Sequence, residues 1–223
     1  MCGIVGYIGS KQAAPFLLDG MSKLEYRGYD SAGIAVLEKG QVRVEKCVGR
    51  LDALRQKLEG NMPESVIGIG HTRWATHGRP SDRNSHPHTD GSGKFVVVHN
   101  GIIENYLALK EELIAKGVEF SSDTDTEVVA HLMADLFDGD MESTVKKVLK
   151  VIKGSYSLVF MCEAEQDKII CTKKDNPLVI GLGEGENFIA SDIPAIINHT
   201  RRTFIMSDGE IATVTKDGVW VQD

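Results

Sequence analysis

Three rhythms of apolar and polar positions follow one another along this chain. GIVGYI (3–8) and SAGIAVLE (31–38) run apolar almost without a break, as buried strands do, whereas 11–24 sets Ala14, Leu17, Leu18, Met21 and Leu24 at helical spacing. Lys39-Gly40 predicts a hairpin turn into QVRVEKCV (41–48), whose alternation is that of a half-exposed strand. RLDALRQKLEG (50–60) is a short amphipathic helix stopped by Gly60, and VIGIGHTRW (66–74) a buried strand running into polar sequence. Gly78, Pro80, Pro87, Gly91 and Gly93 deny 75–94 any regular period, so a long loop is expected there, of the kind that often serves function. KFVVVHNG (94–101) returns to strand and IENYLALKEELIAKG (103–117) to helix. A second helix opens within SSDTDTEVVAHLMADLF (121–137) through a capping box of Thr124 and Glu127.

Past residue 154 the rhythm shortens to apolar runs broken by turns: SYSLVFMC, KIICTK, PLVIGLG, NFIAS, RTFIM, EIATVT and VWVQ, the mark of antiparallel strands joined by hairpins. DIPAIINHT (192–200) supplies one short helix among them. Strands at both ends and two consecutive helices between them predict an α+β layered domain over 1–223, with more than one sheet. No repeat, low-complexity tract or linker interrupts it.

Composition narrows the classes of partner. A 42% hydrophobic and 26% charged chain of 223 residues is an ordinary globular one. Its 32 acidic against 25 basic side chains give a formal charge of −7, which offers no general attraction to nucleic acid or to anionic lipid. No run nears the roughly 18 apolar residues of a membrane span, and the first residues lack the basic and apolar regions of a signal peptide, so a cytoplasmic location is expected. Cys2, Cys47, Cys162 and Cys171 form no CxxC pair, which argues for free thiols over a zinc site or disulfide framework.

Candidate chemistry begins with Cys2. A cysteine beginning a strand is most often a small buried apolar residue. Removal of Met1 would instead put a thiol and an α-amine of pKa roughly 7.7–8.0 on one residue, the pairing that N-terminal nucleophile catalysis uses. In HTRWATHG (71–78), at a strand end, Arg73 is suited to grip a carboxylate bidentately or to make a surface ion pair. His71, His77, His86 and His88 lack metal-ligand spacing, and no metal is expected. Asn100-Gly101 in HNGIIEN fits a tight turn or helix cap, or equally a pair of donors for an oxyanion. Asp125 suits a helix first turn or a substrate ammonium. Arg27 in EYRGYDSAG could pair with Asp30 and only brace its turn. GLGEGEN (181–187) lacks the GxGxxG spacing and reads as a glycine-rich hairpin.

Taken in order, MCGIVGYIG, LEYRGYDSAG, GIGHTRWATHG, VVVHNGIIENY, SDTDTEV, PLVIGLGEGENFIASD and DGEIATV closely resemble the glutaminase domain of the glutamine–fructose-6-phosphate aminotransferase (isomerizing) family of class II glutamine amidotransferases. The resemblance implies the N-terminal nucleophile (Ntn) hydrolase fold, a four-layer αββα sandwich of two antiparallel sheets. It implies hydrolysis of L-glutamine to glutamate, with the ammonia passing to fructose 6-phosphate on C-terminal sugar-isomerase domains that lie outside 1–223, in a full-length homodimer without cofactor. It makes Cys2 the nucleophile and Asn100 and Gly101 the oxyanion donors. Arg73 would hold the substrate carboxylate, Asp125 its ammonium, Arg27 would brace the terminus, and Trp74, Thr76 and His77 would fold over bound glutamine. Two other readings compete: a class II amidotransferase with a different acceptor, whose phosphoribosyl members would carry a Gln-His-Arg-Gly turn in place of YRGYDSAG, and a non-enzymatic binding module.

Overall fold

Alternation along β1 (Gly3–Ile8) sends Val5 and Tyr7 to one side and Ile4 and Ile8 to the other, and all are buried. In the computed structural model, which describes residues 2–74 and 79–223, a strand buried on both faces must lie between two packed layers. The helix α1 (Ala13–Ser22) follows, then β2 (Ser31–Glu38), β3 (Gln41–Val48), α2 (Leu51–Leu58), β4 (Ile67–Arg73), β5 (His88–Thr89) and β6 (Phe95–Ile103). Three helices come next, α3 (Tyr106–Ala115), α4 (Glu127–Leu136) and α5 (Met141–Val151). The remainder is strand: β7 (Gly154–Cys162), β8 (Glu165–Lys174), β9 (Val179–Leu182), β10 (Asn187–Ala190), β11 (Thr203–Ile205), β12 (Ile211–Val214) and β13 (Val219–Gln222).

Among the described residues these strands form two antiparallel sheets, ordered β11-β9-β10-β1-β4-β2-β3 and β13-β12-β8-β7-β6-β5. Three apolar layers hold the stack. Val5, Tyr7, Ile34 and Val36 of the first sheet meet Leu17, Met21, Leu54 and Leu58 of α1 and α2. Ile4, Ile69 and Ala35 face Val96, Val98, Val159 and Cys171 of the second sheet. Val97, Leu158, Phe160 and Ile170 meet Leu113, Val129, Met133 and Val145 on α3, α4 and α5. This is the αββα sandwich that the resemblance implies.

Most elements fall where the apolar rhythm predicts. Lys39 (φ 51°) and Gly40 (φ 85°) turn β2 into β3 through two left-handed residues, the requirement of a type I′ hairpin. GLGEGEN is the β9–β10 hairpin. Four expectations need correction. A third central helix, α5, fills 141–151, where no element is assigned from sequence. The strand 94–101 continues as β6 to Ile103, so Asn100-Gly101 is part of a ladder with Ser157 and Tyr156 instead of a turn or cap. Within the long loop, β5 pairs with β6. The capping box is absent: α4 starts at Glu127, whose buried carboxylate reaches back to the Ser121 and Ser122 N–H groups (2.7 and 2.6 Å), while the Thr124 hydroxyl lies 3.1 Å from His88 Nε2.

Candidate active site

The register Gly3↔Thr72 between β1 and β4 brings Cys2 alongside Arg73 at the end of the first sheet. Cys2 Sγ accepts a hydrogen bond from the Trp74 backbone N–H at 3.2 Å. Burial pushes the Cys2 thiol pKa up, opposed in part by the Trp74 N–H and the nearby Arg73 charge. A thiol held above its ordinary pKa needs a base before it can attack. Gly28 makes room for this arrangement, since a Cβ there would lie 2.8 to 2.9 Å from the Arg73–Trp74 backbone.

From the second sheet, β6 contributes Asn100 and Gly101. The Asn100 Nδ2 group donates to the Cys2 carbonyl oxygen at 3.1 Å. Gly101 has φ +128°, and a Cβ on it would collide with the Ser155 carbonyl oxygen of β7. Only glycine meets both conditions, and Gly101 lines the cavity. Asp125, in the turn before α4, is buried; its Oδ2 accepts the Ile103 N–H at 2.7 Å and lies 4.0 Å from His99 Nδ1.

Cys2, Arg27, Arg73, Trp74, Asn100, Gly101 and Asp125 line one cavity of about 310 Å³. Arg27 pairs with Asp192 at 2.9 Å, a contact 165 residues away along the chain. Asp192 itself is fixed, as its carboxylate accepts the Ile193 N–H and the Tyr26 hydroxyl. Trp74 is half exposed and meets Tyr29 edge-on, with the Arg50 guanidinium over the Tyr29 ring. Thr76 and His77 lie outside the described residues. His99, Thr124, Thr126, Ser155, Asn176 and Pro177 also line the cavity, without having been singled out from sequence for a binding role. Asn176-Pro177 carries a local signal, a turn dipeptide, and Thr124 that of a helix cap, but neither says anything about a pocket.

The histidines of the central loop and strands pack beneath. His71 and His86 stack (4.1 Å between centroids, 17° between planes), and His88 meets His86 edge-on. His71 Nε2 lies 3.0 Å from both His99 O and Asn100 Oδ1, and His86 Nδ1 accepts the His99 N–H at 3.3 Å.

Two antiparallel sheets facing each other between helical layers, with a cysteine entering the central strand at the cavity, define the Ntn hydrolase fold. Residues 71–198 match the family model described as glutamine amidotransferase domain, and the chain belongs to that family. It is 57% identical over 219 residues to glutamine–fructose-6-phosphate aminotransferase [isomerizing] of Caldanaerobacter subterraneus subsp. tengcongensis, covering 98% of this chain and 36% of that relative. Identity to the enzyme of the same name from Clostridium tetani is 54%, covering 100% of this chain and 37% of the relative. The chain thus spans little more than a third of the length of these curated relatives. Among solved structures, glutamine phosphoribosylpyrophosphate amidotransferase from Bacillus subtilis superposes with a TM-score of 0.86 at 26% identity, over 99% of this chain and 49% of that one. A class-II glutamine aminotransferase domain protein from Silicibacter pomeroyi shares the fold at TM-score 0.65 and 14% identity, over 100% of this chain and 99% of that one. Identity to the fructose-6-phosphate aminotransferases is about twice that to the phosphoribosyl enzyme.

Proposed function

We propose that residues 1–223 form one glutaminase domain that hydrolyses L-glutamine through a thioester on Cys2. What carries this reading is the convergence of Cys2, Arg73, Asn100, Gly101 and Asp125, from four separate stretches of sequence, on a single cavity. With Met1 removed, the Cys2 α-amine takes the thiol proton and the thiolate attacks the carboxamide carbon of glutamine. The carbonyl π pair moves onto oxygen, where the Asn100 amide and the Gly101 N–H supply donors placed before the charge develops. Collapse returns that pair, breaks the C–N bond and releases ammonia, which takes its proton from the α-ammonium. Water, deprotonated by the same amine, then attacks the thioester to give glutamate and restore the thiol. Arg73 holds the substrate α-carboxylate and Asp125 its α-ammonium, while Arg27, tied to Asp192, braces the pocket. Trp74 borders the substrate at the cavity, and Thr76 and His77 are assigned to substrate binding from the resemblance alone.

In a longer chain of the length of the curated relatives, the ammonia passes to C-terminal sugar-isomerase domains, which convert fructose 6-phosphate to glucosamine 6-phosphate in a homodimer. The four free cysteines fit a cytoplasmic setting. Glutamate release measured on Met1-free protein tests the core of this reading. Cys2→Ala is expected to abolish turnover with its circular dichroism unchanged, and 6-diazo-5-oxo-norleucine to label Cys2 only when glutamine is absent. Arg73→Ala is expected to raise KM for glutamine by about 10- to 100-fold, the worth of a charge-assisted hydrogen-bond pair. Near-normal turnover in the Cys2→Ala protein would refute the mechanism.

A further inference from the structure

An asparagine amide stabilises an oxyanion only with its NH2 end forward; turned by 180°, it presents an oxygen to the developing charge. We infer that His71 is a positioning residue for the reaction: its Nε2–H holds the Asn100 side-chain oxygen to the rear and so keeps the Asn100 NH2 group facing Cys2. The inference rests on the proposed glutaminase reading and adds a residue that acts through Asn100 without touching substrate.

The geometry leaves His71 one way to serve. Nε2 lies 3.0 Å from two oxygens, His99 O and Asn100 Oδ1, and neither carries a hydrogen while Asn100 Nδ2 donates to the Cys2 carbonyl. The proton therefore sits on Nε2, shared between both acceptors. Nδ1 has no hydrogen-bond partner among the described residues, as a bare lone pair buried in the sheet. The ring cannot swing away. It is 1% exposed, its backbone is paired to Ile4 on one side and Gly33 on the other, and His86 stacks on its face. Burial also keeps it uncharged, with a pKa lowered to about 3 in spite of its hydrogen bonds to the Asn100 side-chain oxygen and the His99 carbonyl, which favour the cation. A charged ring would place a second donor at Nδ1 where no acceptor waits. A neutral His71 thus contributes one directed proton, from Nε2. The bond also crosses from the first sheet to the second, so it fixes Asn100 relative to Cys2 as well as in rotation.

Steady-state kinetics on Met1-free protein test this together with a double-mutant cycle. His71→Met, similar in bulk and without a donor, is expected to lower kcat about 30- to 100-fold, somewhat less than deleting an oxyanion donor outright, with KM changed less than threefold. His71→Gln, whose amide can donate from the Nε2 position, is expected to recover kcat to within tenfold of the parent. In an Asn100→Ala background His71→Met is expected to add less than a threefold further loss, because nothing remains to orient. Equal losses in both backgrounds, an effect confined to KM, or a folded His71→Gln protein as slow as His71→Met would each overturn the inference; the Gln variant decides the matter if the Met variant fails to fold. The tautomer is readable without turnover: ¹⁵N shifts of His71 are expected to report protonated Nε2 and bare Nδ1 from pH 6 to 8. Protein that shows this tautomer but no glutamine hydrolysis would refute the glutaminase reading, whereas active protein with protonated Nδ1 would refute the role of His71.

Discussion

Gly101 combines two demands that no side chain reconciles, a left-handed backbone and contact with the Ser155 carbonyl across the β6–β7 ladder. Gly101→Ala is therefore expected to part the two strands, lowering the free energy of unfolding by about 3 kcal/mol or more, as read by urea denaturation, and to take glutamine hydrolysis with it. Cys2, Arg73, Asn100, Gly101 and Asp125 could be singled out from the sequence because each sits in a short segment that admits a specific chemical use, and the structure brings all five to one cavity. Thr126, Asn176 and Ser155 could not, since a hydroxyl or amide in a loop or strand carries no local sign of which cavity it borders. His71 stood between these cases. Its place in HTRW was plain, but its partner, Asn100, is 29 residues away on the other sheet.

At the scale of elements, the local periodicities did well where an element buries one clean face and poorly where a tertiary partner sets its limits. Helix α5 buries Met141, Thr144, Val145 and Val148 at helical spacing, and Asp140 caps it by accepting the Ser143 N–H at 2.6 Å. The signal was present but followed a polar, glycine-containing turn directly after α4. Asp140→Ala is expected to cost about 1 kcal/mol in denaturant unfolding, with no change in glutamine kinetics, since α5 packs on the far side of the second sheet. The start of α4 shows the other behaviour. Glu127 is drawn away from a local cap because its carboxylate is buried and must satisfy the two serine N–H groups, which no pattern of spacing announces.

Across the whole molecule, a band of buried histidines makes folding sensitive to acid. Burial holds His86 and His88 well below the ordinary histidine pKa, reinforced at His86 by the neighbouring His71 and at His88 by Lys46, and it lowers His71 to about 3. The unfolded chain titrates these groups near 6.5, so their contribution is complete above that value and is lost as pH falls, because only the unfolded state then takes up protons. At pH 5.5 each histidine is expected to withdraw about 1.4 kcal/mol and the three together about 4 kcal/mol, visible as a drop in urea midpoint between pH 7 and 5.5. The layer order could be anticipated from strand-rich ends and central helices, but not which strands neighbour which: β1 lies between β10 and β4, partners from opposite ends of the chain. That crossing of sheets has a consequence for how the protein fails. Cys2 and Arg73 stand on one sheet and Asn100 and Gly101 on the other, joined by the bonds Asn100–Cys2 and His71–Asn100 at the rim of an apolar interlayer. On the proposed function, turnover becomes a gauge of sheet-to-sheet alignment: a slide of about 1 Å between the sheets would leave every ladder intact and still misplace the reacting groups.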